Sequence, residues 1–125
     1  MAEILYIGLG GFVGASLRYL IGGWVHRLID KPWLPYGTFA VNMLGCFFIG
    51  LIIGLSETRP FITPEARLFI VTGLLGSLTT FSTYALESFN LFRDGQVAAS
   101  LFNVAMHVVV GLLFVALGMI LSRAI

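Results

Sequence analysis

The stretch Gly73-Leu74-Leu75-Gly76-Ser77-Leu78-Thr79-Thr80-Phe81-Ser82-Thr83-Tyr84 decides how this chain is read. It lies inside an apolar run, yet Ser77, Thr79, Thr80, Ser82 and Thr83 place five hydroxyls in seven residues, behind two glycines. An uninterrupted lipid-facing helix gains nothing from such a cluster. Hydroxyls do satisfy the backbone groups freed where a membrane helix breaks, and a break is tolerated only inside protein or beside a cavity. A broken helix offers N–H groups at its new N-terminus, which suit an anion, and unpaired carbonyls at the interruption, which suit a small hard cation. Phe81 and Tyr84 are three apart and share a helix face. Their ring edges carry partial positive charge and can approach a small anion without holding it tightly.

Outward from this stretch, the composition names lipid as the solvent. The chain has 125 residues, 58% hydrophobic and 14% aromatic, and only 10% are charged, against roughly a quarter in soluble domains. Mean hydropathy is +0.99. Disorder, a basic nucleic-acid-binding face and a disulfide scaffold are all excluded; the single Cys46 reads as a small packed thiol. A net charge of +1 steers no polyanion. Met1-Ala2-Glu3 has no basic n-region, so a cleaved signal peptide is not expected.

The charged side chains punctuate apolar stretches at about 4–24, 36–55, 68–92 and 97–121. A helix crosses the hydrocarbon core in about 20 residues, so the sequence predicts an all-α integral membrane protein, a single four-helix transmembrane domain over residues 1–125. Barrel strands would alternate apolar and polar positions, which these runs do not. The links are short: 25–35 with Pro32-Trp33-Leu34-Pro35, 56–67 with Pro60 and Pro64, and 93–96. Trp24, Trp33 and Tyr36 fall at span ends, where an aromatic belt belongs.

Four spans put both termini and the second link on one side, with Arg59, Arg67 and Arg123; the other side has Arg27, Lys31 and Arg93. Three against three gives no positive-inside bias. Either something else sets orientation, or the chain inserts both ways and pairs as an antiparallel dimer.

Polar and small residues recur every four positions: Gly10, Gly14, Arg18 and Gly22; Thr38, Asn42, Cys46, Gly50 and Gly54; Asn103, His107 and Gly111. For the glycines the expected role is close helix packing. Asn42, Asn103 and His107 serve equally well as helix glue or as the lining of an ion path. Arg18 costs about 2.5–3.5 kcal/mol at a helix centre. It reads as vestibule electrostatics or structure, with Glu87 as one possible partner.

With these residues in view, the chain resembles the Fluc (CrcB-type) fluoride channels, small four-helix membrane proteins that export fluoride from microbial cells and protect against its toxicity. The resemblance rests on Gly10-Gly11-x-x-Gly14-x-x-x-Arg18, Tyr36-Gly37-Thr38-x-x-x-Asn42, and Gly73-x-x-Gly76-x-x-Thr79-Thr80-Phe81-Ser82-Thr83 followed by Glu87. It covers essentially the whole chain, and the third motif is the specific one. It implies a broken third helix and an antiparallel dual-topology homodimer in the plasma or inner membrane. It places Asn42, Phe81 and Tyr84 on the fluoride path, where Tyr84 replaces the family's usual Phe. It extends the polar track to Asn103 and His107, with Ser82, Thr83 and Thr38 as further candidates. It also implies a central, non-transported sodium ion held by the backbone carbonyls of Gly76 and Thr79 from both subunits.

Fluoride is small and strongly hydrated, so many weak donors suit passage better than a few strong ones. No ATP-binding or catalytic constellation appears in the links, so transport should be passive and the protein no enzyme. One rival is a proton-coupled multidrug exporter, which needs a carboxylate inside the membrane. The first two spans hold none, and Glu87 is near a helix end. The other rival is a non-transporting assembly subunit whose stripes only pack helices; composition leaves it open, although the hydroxyl-rich break is costly to explain that way.

Overall fold

A computed structural model describes residues 1–29, 33–58 and 62–125. Helix α1 spans Ala2–Leu28 and α2 spans Tyr36–Thr58. The third span begins with α3, Pro64–Arg67, runs into a π-helix at Leu68–Leu75, and continues as α4, Gly76–Leu78. Helix α5 is Phe81–Arg93 and α6 is Val97–Ala124. Four stretches are long and apolar enough to cross a bilayer: Ala2–Leu28, Tyr36–Glu57, Pro64–Arg93 and Val97–Ala124. No strand occurs among the described residues.

The helices run past the ends of the apolar stretches, because a charged side chain on a helix end can reach water along its own stem. In α1 the helix continues to Leu28, and the Arg27 Nε donates back to the Gly23 carbonyl at 3.3 Å. Residues 64–67, read from composition as part of a link, form the first turn of the third span. Pro64 sits where its missing N–H is not needed, and the Thr63 hydroxyl accepts from the Ala66 N–H at 3.2 Å. Pro32 and Pro60, expected to shape the first two links, fall outside the described residues, as do Asp30, Lys31 and Arg59. The third link is a tight turn at Asp94 and Gly95. Gly95 has φ +79°, a conformation that favours glycine, and its N–H donates to the Phe92 carbonyl at 3.1 Å.

Small residues set the helix spacing, as expected for the glycine stripes. A Cβ on Gly50 would overlap the Val115 carbonyl oxygen, and one on Gly118 would overlap that of Phe47, so α2 and α6 meet backbone to backbone. On α1, Gly10 faces the Phe69 carbonyl and Gly14 that of Leu74. The interior is correspondingly thin. Val41, Leu75 and Leu78 are its buried centre, packed by Leu17, Ile21, Leu44, Ile49, Ile70 and Leu74. Large apolar side chains such as Phe12, Tyr19, Leu112 and Ile120 point outward, as lipid-facing residues should.

Candidate ion pathway

Between α4 and α5 the backbone leaves the helical conformation for two residues: Thr79 at φ −83°, ψ 157° and Thr80 at φ −149°, ψ 109°. Every backbone group uncovered there needs a partner, and the neighbouring helices supply three. Asn42 on α2 binds Thr80 from both ends of its amide: Oδ1 accepts from the Thr80 N–H at 2.8 Å, and Nδ2 donates to the Thr80 carbonyl at 3.2 Å. Arg18 on α1 donates through Nη1 to the Thr79 carbonyl at 3.3 Å. The Thr80 hydroxyl then caps α5, accepting from the Thr83 N–H at 3.2 Å and donating to the Thr83 hydroxyl at 2.8 Å. Of the hydroxyl cluster, Thr80 serves the first turn of α5, and the Thr79 hydroxyl donates to the Leu75 carbonyl at 3.1 Å. Because Thr80 N–H has turned to Asn42, the Gly76 carbonyl loses its ordinary helical donor.

Beside these residues lies a cavity of about 400 Å³. Asn42, Gly76, Thr79, Thr80, Phe81, Tyr84 and His107 are among its lining residues. Phe81 is 78% exposed, and its ring lies 5.5 Å from that of Tyr84, centroid to centroid. Tyr84 in turn packs on the His107 imidazole at 4.4 Å. Cys46, expected only as a packed thiol, also lines this cavity.

Other sequence-derived candidates lie elsewhere. Thr38 donates to Glu87 Oε1 at 2.7 Å, and both line a separate recess with Gly22, His26, Pro35 and Gly37. Arg18 and Glu87 are therefore not partners: each is bonded to a different group, and the one ion pair among the described residues is Arg93 with Asp94. Ser82 and Thr83 are exposed at the start of α5, with Ser82 3.5 Å from the Thr80 hydroxyl. Asn103 is 2% exposed and outside the cavity, its Nδ2 donating to the Ser88 hydroxyl at 2.9 Å. Ser88 donates to the Tyr84 carbonyl at 2.8 Å, and Ser100 donates to the Ser88 carbonyl at 2.7 Å. These two serines clamp α5 to α6, and neither stood out in the sequence. The usable signal was their spacing: Ser88 lies one turn after Tyr84, and Ser100 lies one turn before Asn103.

The family described as CrcB-like protein, Camphor Resistance (CrcB), matches residues 5–119. The chain belongs to the CrcB family. It is 44% identical over 125 residues to a protein of Maridesulfovibrio salexigens named "Fluoride-specific ion channel FluC", covering 100% of this chain and 98% of that one. A protein of Geotalea uraniireducens with the same name is 42% identical, covering 100% of both chains. Another of that name, from Chloroflexus aurantiacus, is 46% identical over 98% of this chain and 97% of its own. CrcB membership together with four bilayer-length helices makes this a multi-pass protein of the cell membrane.

Proposed function

We propose that this CrcB protein is a passive, fluoride-selective channel that lets fluoride leave the cell. The observation that carries the reading is the pair of extended residues pinned by Asn42 beside a cavity lined by amide, hydroxyl and aromatic groups. Such a lining replaces water with many weak contacts and leaves the ion free to move on. Asn42, Phe81 and Tyr84 form the central contacts of the path, His107 its α6 side, and Thr38, Ser82 and Thr83 its approaches. Asn103 belongs to the same polar track, holding His107 from behind. Arg18, bonded to a carbonyl, contributes positive potential without meeting the ion directly. No step involves covalent chemistry.

The active unit is an antiparallel homodimer. Two features support a second, inverted copy: the balanced Lys and Arg count on the two sides, and the outward placement of Phe81 at the edge of a cavity that a single chain leaves open. Two lysines added to the link between the second and third spans should bias insertion to one orientation and reduce fluoride flux several-fold. Cysteine accessibility still showing both orientations would remove the charge-balance argument.

A structural sodium ion fits the same arrangement. The Gly76 and Thr79 carbonyls lose their helical donors where Thr80 and Thr83 N–H turn elsewhere, and both residues line the cavity. Two copies would bring four neutral oxygens together, a donor set suited to a hard monovalent cation. Arg18 already uses one lone pair of the Thr79 oxygen, leaving the other for the ion. When bound, sodium would supply fixed positive charge between the two copies.

The test is reconstitution into liposomes with efflux followed by a fluoride electrode, chloride as the comparison ion. Fast fluoride efflux without a proton gradient, with chloride retained, is the expected result. Efflux that requires a proton gradient, or chloride leaving as fast as fluoride, would overturn the reading.

A further inference from the structure

We propose that His107 couples proton and halide occupancy in the cavity, its imidazole becoming a cation beside the ion only when the ring carries two protons. The proposal rests on the cavity being the fluoride path. His107 Nδ1 lies 3.0 Å from the Asn103 backbone carbonyl, one turn earlier on α6. A carbonyl can only accept, so Nδ1 carries the proton of this bond. In the neutral ring Nε2 is then a bare lone pair, and it is buried without a hydrogen-bond partner. The neutral ring therefore offers the cavity no positive charge.

The ring has little freedom to present its other edge. Tyr84 packs on it at 4.4 Å, and Phe39 meets it at 5.2 Å with the two planes perpendicular. The anchoring Asn103 is itself held by Ser88, and Ser88 by the Tyr84 carbonyl. Turning the imidazole over would give up the Asn103 bond and disturb both ring contacts.

A second proton changes the sign of the site. Nε2 becomes an N–H donor with nothing to donate to, and the ring becomes a cation resting against the Tyr84 ring, a tolerable place for one. Among the described residues, the titratable groups lining the cavity around it are Tyr84 on α5 and Cys46 on α2, with no formally charged side chain. Glu87, one turn beyond Tyr84, is bonded to Thr38 and lines the separate recess. A halide entering the cavity would therefore supply the missing counter-charge. Proton and fluoride each favour the binding of the other, by the same factor in both directions.

The experiment measures fluoride current in planar bilayers, where neutral hydrogen fluoride contributes nothing, for wild type and His107→Gln between about pH 8 and pH 5. In wild type the fluoride concentration giving half-maximal current should fall about fivefold or more on acidification; in the variant it should not move. A wild-type value independent of pH, or the same dependence in both proteins, overturns the proposal. Nitrogen NMR of the imidazoles reads the coupling without conduction, using the resonances lost in His107→Gln for assignment. Sodium fluoride should raise the doubly protonated fraction of His107; no change, or an equal change with sodium chloride, overturns it. Absence of fluoride current at every pH would instead defeat the channel reading, and the NMR result would still decide the coupling.

Discussion

Asn42→Asp should lower fluoride efflux by about a hundredfold. The substitution keeps the size of the side chain and the acceptor for the Thr80 N–H, so the two extended residues remain tied on one side. It removes the Nδ2 donor to the Thr80 carbonyl and sets a carboxylate oxygen against that carbonyl. It also places a full negative charge on the wall of the cavity. At an effective dielectric constant near 20, a like charge about 5 Å away costs about 3 kcal/mol, which is about two powers of ten in rate. The measurement is the initial efflux rate from liposomes, normalised to protein that elutes as the assembled species. Wild-type efflux from such a preparation would take Asn42 out of the ion path.

The second large effect is on folding. Gly14→Ala should cost about 3 kcal/mol or more, the upper range for overpacking, and leave little protein assembled after extraction in mild detergent. The added Cβ would overlap the Leu74 carbonyl oxygen and lie 2.9 Å from its carbon and 3.0 Å from the Leu74 Cα. All three are backbone atoms, so no rotamer change relieves the contact; α1 must withdraw from the π-helix. Withdrawal would also pull Arg18, one turn later, off the Thr79 carbonyl. Gly8→Ala is the control, because nothing lies within 4 Å of its added methyl. Thermal unfolding followed by size-exclusion chromatography compares the two variants. Equal stability would mean that α1 does not pack through Gly14.

These two positions also mark what the sequence made legible. Asn42 and the Ser77–Thr83 hydroxyls stood out because polar groups in an apolar run are expensive and need a reason. Asn42 turns out to serve the backbone of Thr80, and the Thr79 and Thr80 hydroxyls serve the helix turns on either side. The glycine stripes were legible because helix periodicity puts residues four apart on one face, and that face is where backbones meet. The four bilayer-length helices followed from hydropathy alone, although their ends did not, since polar turns at the lipid–water boundary carry no apolar signal. The π-helix at Leu68–Leu75 left no trace: Leu, Phe, Ile and Val suit an α-helix equally well, and only the fit against α1 distinguishes the two. The partner of Arg18 was hidden for a related reason. Charge suggested Glu87, but the acceptor is a backbone carbonyl, and carbonyls are invisible in a sequence until the fold shows which of them is uncovered. Asn103 followed the right periodicity onto α6, but the periodicity did not tell that it faces α5 and reaches the cavity only through His107.

The Arg18 contact has a consequence for how the protein is made. Its acceptor lies 61 residues further along the chain, and at a synthesis rate of about 5–20 residues per second that oxygen emerges about 3–12 s later. Through that interval α1 holds a guanidinium in or near the bilayer with its final partner not yet translated. The long side chain must meanwhile keep its charge at the lipid headgroups. Delivery of the third span would then draw Arg18 inward, onto the Thr79 carbonyl. The first helix thus completes its own hydrogen bonding only once Thr79, in the third span, has been made.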